Sequence, residues 1–323
     1  MYKLFTHSDL DGVGCAVLAK LAWADTVDIT YCHGKEDLNH KITEMYKKNE
    51  WKNYNVIFVT DLSFDISVLE ECPKLQYVLR LFDHHASAVE PFKPFSWAQV
   101  QPELNGRLTC GTELFYRYLL AKGKVRRRDF FVEQIRLYDT WDWYYTTSKL
   151  PKYLSDVVMR IGLQYFVETY VERLRKSDVN ELSIFNEYER QLLLYLSNRE
   201  DKDVKSFLDQ TFVCEVESNE ITPNQTKFKV GVVFNNSFYS SLLGNEMCRV
   251  MGVDIAFMVN MSRSRVEVRT ARDDIDLSVL MNKFYGGGGH KKAAGGFINY
   301  SEDLIREKLL RFGKVVSLKQ GNV

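Results

Sequence analysis

Residues 55–61 read NVIFVTD, and residues 77–85 read YVLRLFDHH. Each stretch is an almost continuous apolar run of strand length that ends in acidic or imidazole side chains. Such runs are typical of parallel strands that are buried on both faces by helices. A third run at residues 2–6, YKLFT, leads into the polar segment HSDLDG at His7–Gly12. The three runs therefore predict an α/β domain built on a parallel sheet.

Helical patterns separate these strands and extend beyond them. Residues 14–24, 111–120 and 128–138 each predict a helix, and residues 148–195 are mostly helical in pattern. The pattern changes near residue 210, after which four segments predict strands: Phe212–Val216, Lys227–Phe234, Asp254–Asn260 and Arg265–Thr270. We therefore predict a first domain over residues 1–150, a helical connector and linker over 151–210, and a smaller α/β domain over 211–323. The polar segment Ser197–Lys205 is the candidate linker, unless it continues a helix.

The composition is that of an ordinary globular protein. The 323 residues include 43 basic and 43 acidic side chains, so the formal net charge is +0. A zero net charge argues against a protein that coats long nucleic acid, although a local basic pocket is compatible with it. The six cysteines form no C-x-x-C pair, which argues against a structural zinc site and a disulfide framework. Because neither a signal peptide nor a membrane-spanning run is evident, we expect a soluble cytoplasmic protein without a membrane partner.

Acidic and imidazole side chains follow all three strands of the first domain. They are His7, Asp9, Asp11, Asp61, His84 and His85. Ligands of open α/β sheets bind outside the carboxyl ends of the strands, so these side chains are expected on one rim. Asp139, just after the helix at residues 128–138, could complete the set, in competition with Asp142.

This set of donors predicts a metal centre. Several carboxylates on one rim repel one another unless cations neutralise them, and four carboxylates with two imidazoles could hold two divalent ions roughly 3.5–4 Å apart. Mixed oxygen and nitrogen ligands favour Mn²⁺ over Mg²⁺. Each residue also has a structural explanation, since an isolated D-x-D is commonly a helix cap. The joint arrangement at three successive strand ends is harder to explain in that way.

A second candidate site is the glycine run Gly286–Gly289, followed by His290 and the sequence KKAAGG. Four consecutive glycines cost chain entropy to order, which indicates close approach of the backbone to a ligand. If His290–Ala294 is helical, the loop aims N–H groups and positive charge at a phosphate. A flexible turn is the alternative for a bare glycine run.

The motifs together resemble those of the DHH-family phosphoesterases that carry a DHH-associated C-terminal domain. The matching pieces occur in the family's order and are HSDLDG (His7–Gly12), VTDLS (Val59–Ser63), FDHHAS (Phe82–Ser87), YDTWDW (Tyr138–Trp143) and GGGGHKKAAGGF (Gly286–Phe297). The resemblance implies a metal-binding catalytic DHH domain and a substrate-binding DHH-associated domain, with the active site in the cleft between them. Among the branches, the first and fourth motifs most resemble the B-type nanoRNases, which degrade short RNA.

The resemblance also implies roles for individual residues. One Mn²⁺ would be held by His7, Asp9 and Asp61, and the other by Asp11, Asp61, His84 and Asp139, with Asp61 bridging. Asp83 would orient its neighbours, and His85 would contact the scissile phosphate. The second domain would contribute substrate-binding residues, namely Arg269, Gly287, Gly288, Gly289 and His290. Co²⁺ or Mg²⁺ could replace Mn²⁺ in such a site.

We therefore predict a cytoplasmic, Mn²⁺-dependent phosphodiesterase that hydrolyses short RNA or dinucleotides to 5'-mononucleotides through a hydroxide activated by two metals. A phosphoesterase acting on cyclic dinucleotides or 3'-phosphoadenosine 5'-phosphate is the enzyme alternative, and a nucleotide sensor without chemistry is the other. A platform for long DNA is not expected, and a homodimer is left open. We expect Phe284 or Tyr285 either to stack a base or to lie in the core. The aromatic stretch Trp141–Tyr145 is expected to serve packing.

Overall fold

A computed structural model describes residues 1–235 and 239–298, and the backbone alone of residues 314–320. The chain divides into two compact units, Met1–Leu193 and Leu194–Val323. Part of the domain predicted at 211–323 lies outside the described residues, namely 236–238, 299–313 and 321–323. In the described part of the chain, no helix is both long enough and apolar enough to cross a membrane.

The first unit is built on the parallel sheet that the apolar runs predict. Its strands are β1 (Tyr2–His7), β2 (Val27–Cys32), β3 (Val56–Thr60), β4 (Leu79–Asp83) and β5 (Ala98–Val100). Their order is β2-β1-β3-β4-β5, and every neighbouring pair is parallel. The three predicted strands β1, β3 and β4 are therefore adjacent, so their carboxyl ends lie at the same edge. A short hairpin, β6 (Glu103–Leu104) and β7 (Arg107–Leu108), follows the sheet.

Helices cover both faces of this sheet, which explains why the strands are apolar throughout. They are α1 (Leu10–Trp23), α2 (Lys35–Lys47), α3 (Ser67–Glu71), α4 (Ala86–Phe92), α5 (Gly111–Ala121), α6 (Asp129–Asp139), α7 (Leu150–Arg160) and α8 (Leu163–Lys176). Successive residues of β1 point to opposite faces: Leu4 joins the core under α1 and α5, and Phe5 joins the core under α2. Phe166 and Tyr170 of α8 pack against Phe131 of α6, so α8 belongs to the core of the first unit.

The second unit contains a mixed sheet and confirms the predicted second α/β domain. Helix α9 (Glu187–Asp209) crosses the division between the units, and the candidate linker at 197–205 lies inside it. The strands are β8 (Phe212–Thr222), β9 (Gln225–Phe234), β10 (Ile255–Asn260), β11 (Arg265–Arg269), β12 (Gly288–His290), β13 (Ala293–Phe297) and β14 (Lys314–Gln320). Their order is β12-β13-β11-β10-β9-β8-β14, in which only the β9–β10 pair is parallel. Within the described residues of this unit, the helices α10 (Ser240–Met251) and α11 (Leu277–Tyr285) accompany the sheet.

The helix expected at His290–Ala294 is wrong, because this segment forms the β12–β13 hairpin. The glycines explain the difference. A Cβ on Gly287 would lie 1.9 Å from the carbonyl oxygen of Gly295, so only glycine allows the two backbones to approach this closely. The left-handed φ of +59° at Gly286 ends α11 and turns the chain into the hairpin. The glycine run therefore serves a backbone approach within the protein itself.

Candidate metal centre

Eight of the predicted site residues lie at the carboxyl edge of the parallel sheet. His7 is the last residue of β1, Asp9 caps α1, and Asp11 lies in the first turn of that helix. The others follow the neighbouring strands or end a helix: Asp61 after β3, Asp83 at the end of β4, His84 and His85 before α4, and Asp139 as the last residue of α6. Local structure explains the first turn, since the Asp9 carboxylate accepts a hydrogen bond from Gly12 N and thereby starts α1.

The ligand atoms fall into two overlapping groups centred on Asp61. In the first group, His7 Nδ1 lies 2.8 Å from Asp9 Oδ2 and 3.9 Å from Asp61 Oδ2. In the second group, His84 Nε2 is the shared point of three contacts: 3.3 Å to Asp61 Oδ1, 3.5 Å to Asp139 Oδ2 and 3.9 Å to Asp11 Oδ2. The two carboxylate oxygens of Asp61 thus face different groups. The ligand atoms of His7, Asp9 and Asp61 lie within 4.8 Å of one another, as do those of Asp11, His84 and Asp139.

Several buried polar atoms of this cluster are left unsatisfied in the part of the chain that the structure describes. Asp61 Oδ2, His84 Nε2 and Asp139 Oδ2 are buried and have no hydrogen-bond partner among the described residues. Burial, followed by the charge of the neighbouring carboxylates, raises the pKa of both Asp61 and Asp139. Unpaired carboxylates of this kind are costly unless a cation lies between them. The donor set therefore fits divalent cations, and its mixture of oxygen and imidazole nitrogen suits a transition metal.

The two histidines of the cluster have different electrostatic surroundings. Burial lowers the pKa of His84, although the charge of Asp11 opposes this, so the neutral imidazole that binds metals is favoured. Burial also lowers the pKa of His7, but its hydrogen bond to Asp9 and the charge of Asp9 outweigh this effect, and the net pKa is raised. For Asp9, burial raises the pKa, but the hydrogen bond and charge of His7 bring it down to about 2. Asp9 therefore stays ionised.

Asp83 acts on the neighbouring histidines through its hydrogen bonds. Its Oδ1 accepts from the backbone N–H groups of His84 and His85, at 2.8 and 3.3 Å, and lies 2.7 Å from Nδ1 of the His85 ring. Its Oδ2 accepts a hydrogen bond from the hydroxyl of Ser63. Burial raises the pKa of Asp83, but the hydrogen bond and charge of His85 outweigh burial, so the net pKa is reduced. A third group that could hold a cation consists of Asp61, Asp83, His84 and His85.

The N-terminus of α5 holds Asp11, and the sequence analysis missed this contact. Gly111 N donates to Asp11 Oδ2 at 2.6 Å, and Thr112 N donates to Asp11 Oδ1 at 2.8 Å. Backbone N–H groups at a helix N-terminus bind anions because they have no partner within the helix. A Cβ on Gly111 would lie 2.7 Å from Asp61 Cβ, so glycine is needed for α5 to come this close. A Cys-Gly-Thr sequence at the start of a predicted helix was the available signal.

Asp61 has a backbone conformation that few residues adopt. Its φ is +58°, in the left-handed region, where a non-glycine residue pays about 1–2 kcal/mol. Its N–H donates to Phe82 O at 2.9 Å, which ties the end of β3 to β4. Among residues other than glycine, Asn and Asp tolerate left-handed backbone best, and such strain occurs often at functional sites.

The predicted substrate-binding residues of the second unit lie on β11 and on the glycine hairpin. The Arg269 side chain is 14% exposed, and its Nη2 donates to Ser241 Oγ at 2.6 Å. Burial lowers the pKa of Arg269, which is partly opposed by Glu267, 3.7 Å away. Gly287 is partly buried, whereas Gly288, Gly289 and His290 are exposed. Tyr285, one of the two possible stacking residues, is 3% exposed and belongs to the core, with Phe284 packed against the same core.

Comparisons with known proteins agree with this architecture. No family model matches the chain. The oligoribonuclease NrnB of Bacillus subtilis (strain 168) is 33% identical over 311 residues, which cover 91% of this chain and 72% of that protein.

Solved structures of two other proteins are also similar. The pGpG-specific phosphodiesterase PggH from Vibrio cholerae is 14% identical with a TM-score of 0.53, and the match covers 94% of this chain and 95% of PggH. RecJ from Thermus thermophilus, solved in complex with Mn²⁺, is 12% identical with a TM-score of 0.49, over 93% of this chain and 50% of RecJ. On its identity and coverage with NrnB, the chain belongs to the DHH-family phosphoesterases, in the family of the oligoribonuclease NrnB.

Proposed function

We propose that the protein is a Mn²⁺-dependent phosphodiesterase that hydrolyses short RNA oligonucleotides and dinucleotides to 5'-mononucleotides. The observation that carries this proposal is the position of Asp61, a buried residue whose two carboxylate oxygens face two different groups of donors. A protein that only bound a nucleotide would not need two such groups. Many enzymes that hydrolyse phosphodiesters, in contrast, use a pair of cations.

The chain's own residues have distinct roles in this proposal. One cation would be held by His7, Asp9 and Asp61, and the other by Asp11, Asp61, His84 and Asp139. Bound there, two divalent ions would lower the pKa of a water and neutralise the charge that develops on the phosphate. The α5 N-terminus keeps Asp11 in place, since both of its carboxylate oxygens already accept backbone hydrogen bonds.

His85 would stabilise the negative charge that grows on the scissile phosphate. The Asp83 carboxylate lies 2.7 Å from Nδ1 of its ring, so a proton on Nδ1 fixes the tautomer and aims Nε2 away from Asp83. Burial lowers the pKa of His85, but its hydrogen bond to Asp83 and the charge of Asp83 raise it overall, which favours the cationic ring. A cationic donor suits a group that contacts a phosphate.

The substrate class rests on the relatives together with the second unit. NrnB is named an oligoribonuclease, and PggH is named a phosphodiesterase specific for pGpG, which is a linear dinucleotide. We propose that Arg269, the backbone of Gly287–Gly289 and His290 contact a substrate phosphate or base. A cytoplasmic location fits an enzyme that degrades short RNA.

A product time course tests this function. RNA labelled at its 5' end, from dimers to long oligomers, would be incubated with the protein in Mn²⁺ and, separately, in EDTA. We expect rapid conversion of dimers to mononucleotides in Mn²⁺, slower turnover as length increases, and none in EDTA. Asp61→Asn should abolish turnover, whereas Asp65→Asn, which changes an aspartate that pairs with Lys35, should not.

Other outcomes would redirect the proposal. Turnover of cyclic dinucleotides or 3'-phosphoadenosine 5'-phosphate without turnover of linear RNA would assign the same site to a different phosphoester. Full activity in EDTA after exhaustive dialysis would contradict the role of the cations. Failure to hydrolyse any of these compounds would favour the alternative in which the protein is a nucleotide sensor without catalytic activity.

A further inference from the structure

The aromatic segment Trp141–Tyr145 directly follows Asp139 and is not explained by packing alone. Trp143 is 6% exposed, and its ring lies within 16° of parallel to that of Tyr138, with the ring centroids 6.4 Å apart. This part of the segment therefore serves the core, as the sequence predicted. Trp141 is only partly buried, and Tyr145 is 78% exposed. Aromatic residues that are not fully buried and that closely follow a candidate ligand in the chain can serve binding as well as packing.

Trp141 bears two costs that a packing role does not require. Its φ is +65°, a left-handed conformation that glycine or asparagine adopts more readily than a bulky residue. Its indole N–H is buried and has no hydrogen-bond partner in the described part of the chain, which is also true of Trp143, so the backbone conformation is what sets Trp141 apart. Strained backbone and unsatisfied polar groups that persist in a fold occur disproportionately at functional sites.

The turn that carries Trp141 is fixed by a buried arginine. Arg136, with 4% of its side chain exposed, donates Nη1 to Asp142 Oδ2 at 2.6 Å and Nη2 to Glu133 Oε1 at 2.6 Å. The residue after Trp141 is thereby tied to α6, the helix that ends in Asp139. Residues held in this way form a rigid surface, which a binding platform needs if it is to avoid an ordering cost on binding.

The same turn places Trp141 next to the metal centre. Trp141 is two positions after Asp139 in the chain, so the two Cα atoms are at most about 7 Å apart. Asp139 Oδ2 is 3.5 Å from His84 Nε2. Tyr138, which directly precedes Asp139, lies beside Trp141, with the two ring centroids 6.4 Å apart. Since a single sugar joins a base to its phosphate, a base whose phosphate is bound at the metal centre would lie near this turn.

We propose that Trp141 is a stacking platform for a nucleobase of the oligonucleotide whose phosphate lies at the metal centre. This inference rests on the proposed function and extends it by naming what holds the base on the first unit. Tyr144 backs the platform, since its ring lies within 25° of parallel to that of Trp141 at a centroid distance of 6.2 Å. Stacking is tolerant of sequence because every base has a π-face, so the platform would accept all four bases.

The test compares Trp141→Leu, Trp141→Phe and a matched control, Trp51→Leu. Trp51 is also partly buried and also stacks on a tyrosine, Tyr46, but it precedes β3 and so lies at the opposite edge of the sheet. The substrates are a 5'-phosphorylated adenosine dinucleotide and its two analogues that each lack one base. Thermal melting followed by circular dichroism establishes that every variant is folded.

We expect Trp141→Leu to lower kcat/KM for the dinucleotide by about 10- to 100-fold, mostly through KM. Trp141→Phe should stay within about threefold of wild type because it keeps a ring. Trp51→Leu should not differ from wild type. One of the two abasic analogues should be insensitive to Trp141→Leu, since the base that the ring would stack is already missing.

If Trp141→Leu lowered kcat/KM equally for the dinucleotide and for both abasic analogues, the platform would be overturned. It would also be overturned if kcat/KM for the dinucleotide did not fall at all. If the wild type cleaves no dinucleotide, the proposed function fails. The platform is then tested independently by equilibrium binding of the intact dinucleotide in Mn²⁺. Weaker binding to Trp141→Leu than to Trp51→Leu would support it. Equal affinities for these two variants would overturn it.

Discussion

Gly111→Ala should damage the candidate metal centre, although Gly111 is not itself one of the predicted ligands. The new Cβ would lie 2.7 Å from Asp61 Cβ, 2.9 Å from Asp61 Cα and 3.0 Å from Asp11 Oδ2. Because ordinary Cβ contacts begin at 3.4 Å, Asp61 or the start of α5 must move by about 0.7 Å. The two Asp61 atoms cannot rotate away, since Cα belongs to the backbone and Cβ is bonded directly to it.

The displacement should act on both stability and metal binding. Overpacking of this kind typically costs about 1–3 kcal/mol of folding free energy. Because Gly111 N also donates to Asp11, the change disturbs two ligands at once, and loss of such support typically costs about 10- to 100-fold in metal affinity or activity. We expect calorimetric titration with Mn²⁺ to show this weakening, and kcat/KM on a dinucleotide to fall to a similar extent.

Gly123→Ala is the control for the loss of stability. Gly123 has a φ of +62° with nothing within 4 Å of its missing Cβ, so alanine there costs about 1–2 kcal/mol through backbone strain alone. This variant should lose a comparable amount of stability and bind Mn²⁺ like the wild type. Wild-type Mn²⁺ affinity in Gly111→Ala would refute the reasoning that α5 supports Asp11 and Asp61.

Three further changes test other parts of the structure. Ser63→Ala removes the hydroxyl that donates to Asp83 and should lower kcat by about 10-fold with little change in Mn²⁺ affinity. Ser63→Thr keeps a hydroxyl and should have the kcat of the wild type. Equal activity of the wild type and both variants would contradict a role for Ser63. Mn²⁺ at 100 times its Kd should stabilise the protein against unfolding by urea by about 2.7 kcal/mol for each ion bound, and Asp61→Asn should abolish this gain. Burial raises the pKa of Glu113, but its hydrogen bonds to Arg107, Thr109 and Arg117 lower it below the usual 4.5. Its stabilising effect is therefore present above pH 4.5 and lost as the pH falls through the lowered pKa, so Glu113→Gln should lower Tm by about 3–6 °C at pH 7 but not in acid.

The clustering of the candidate metal-centre residues was predictable because of where the strands end. β1, β3 and β4 are buried on both faces, so their apolar runs stand out in the sequence and their polar successors are easily located. β2 was missed because Asp28 interrupts its apolar pattern, and this aspartate is accommodated by ion pairing with Lys3 of β1. Such a cross-strand partner, 25 residues away in the chain, has no local signal.

The wrongly predicted helix after the glycine run and the missed contact at the start of α5 share a physical cause. Gly287 is needed where β13 approaches, and Gly111 is needed where Asp61 approaches. A glycine indicates that something comes close, but the sequence does not say whether that is a ligand or another part of the backbone. Trp141, in contrast, has no such signal in the sequence. Its left-handed backbone and its unpartnered indole N–H are evident only in the three-dimensional structure of the described residues.

The most direct test of the central claim is the anomalous scattering of Mn²⁺ in crystals of the protein. Asp61 should lie between two anomalous peaks roughly 3.5–4 Å apart, with His7 and Asp9 beside one peak and His84 and Asp139 beside the other. A single peak, or a pair that Asp61 does not contact, would contradict the account.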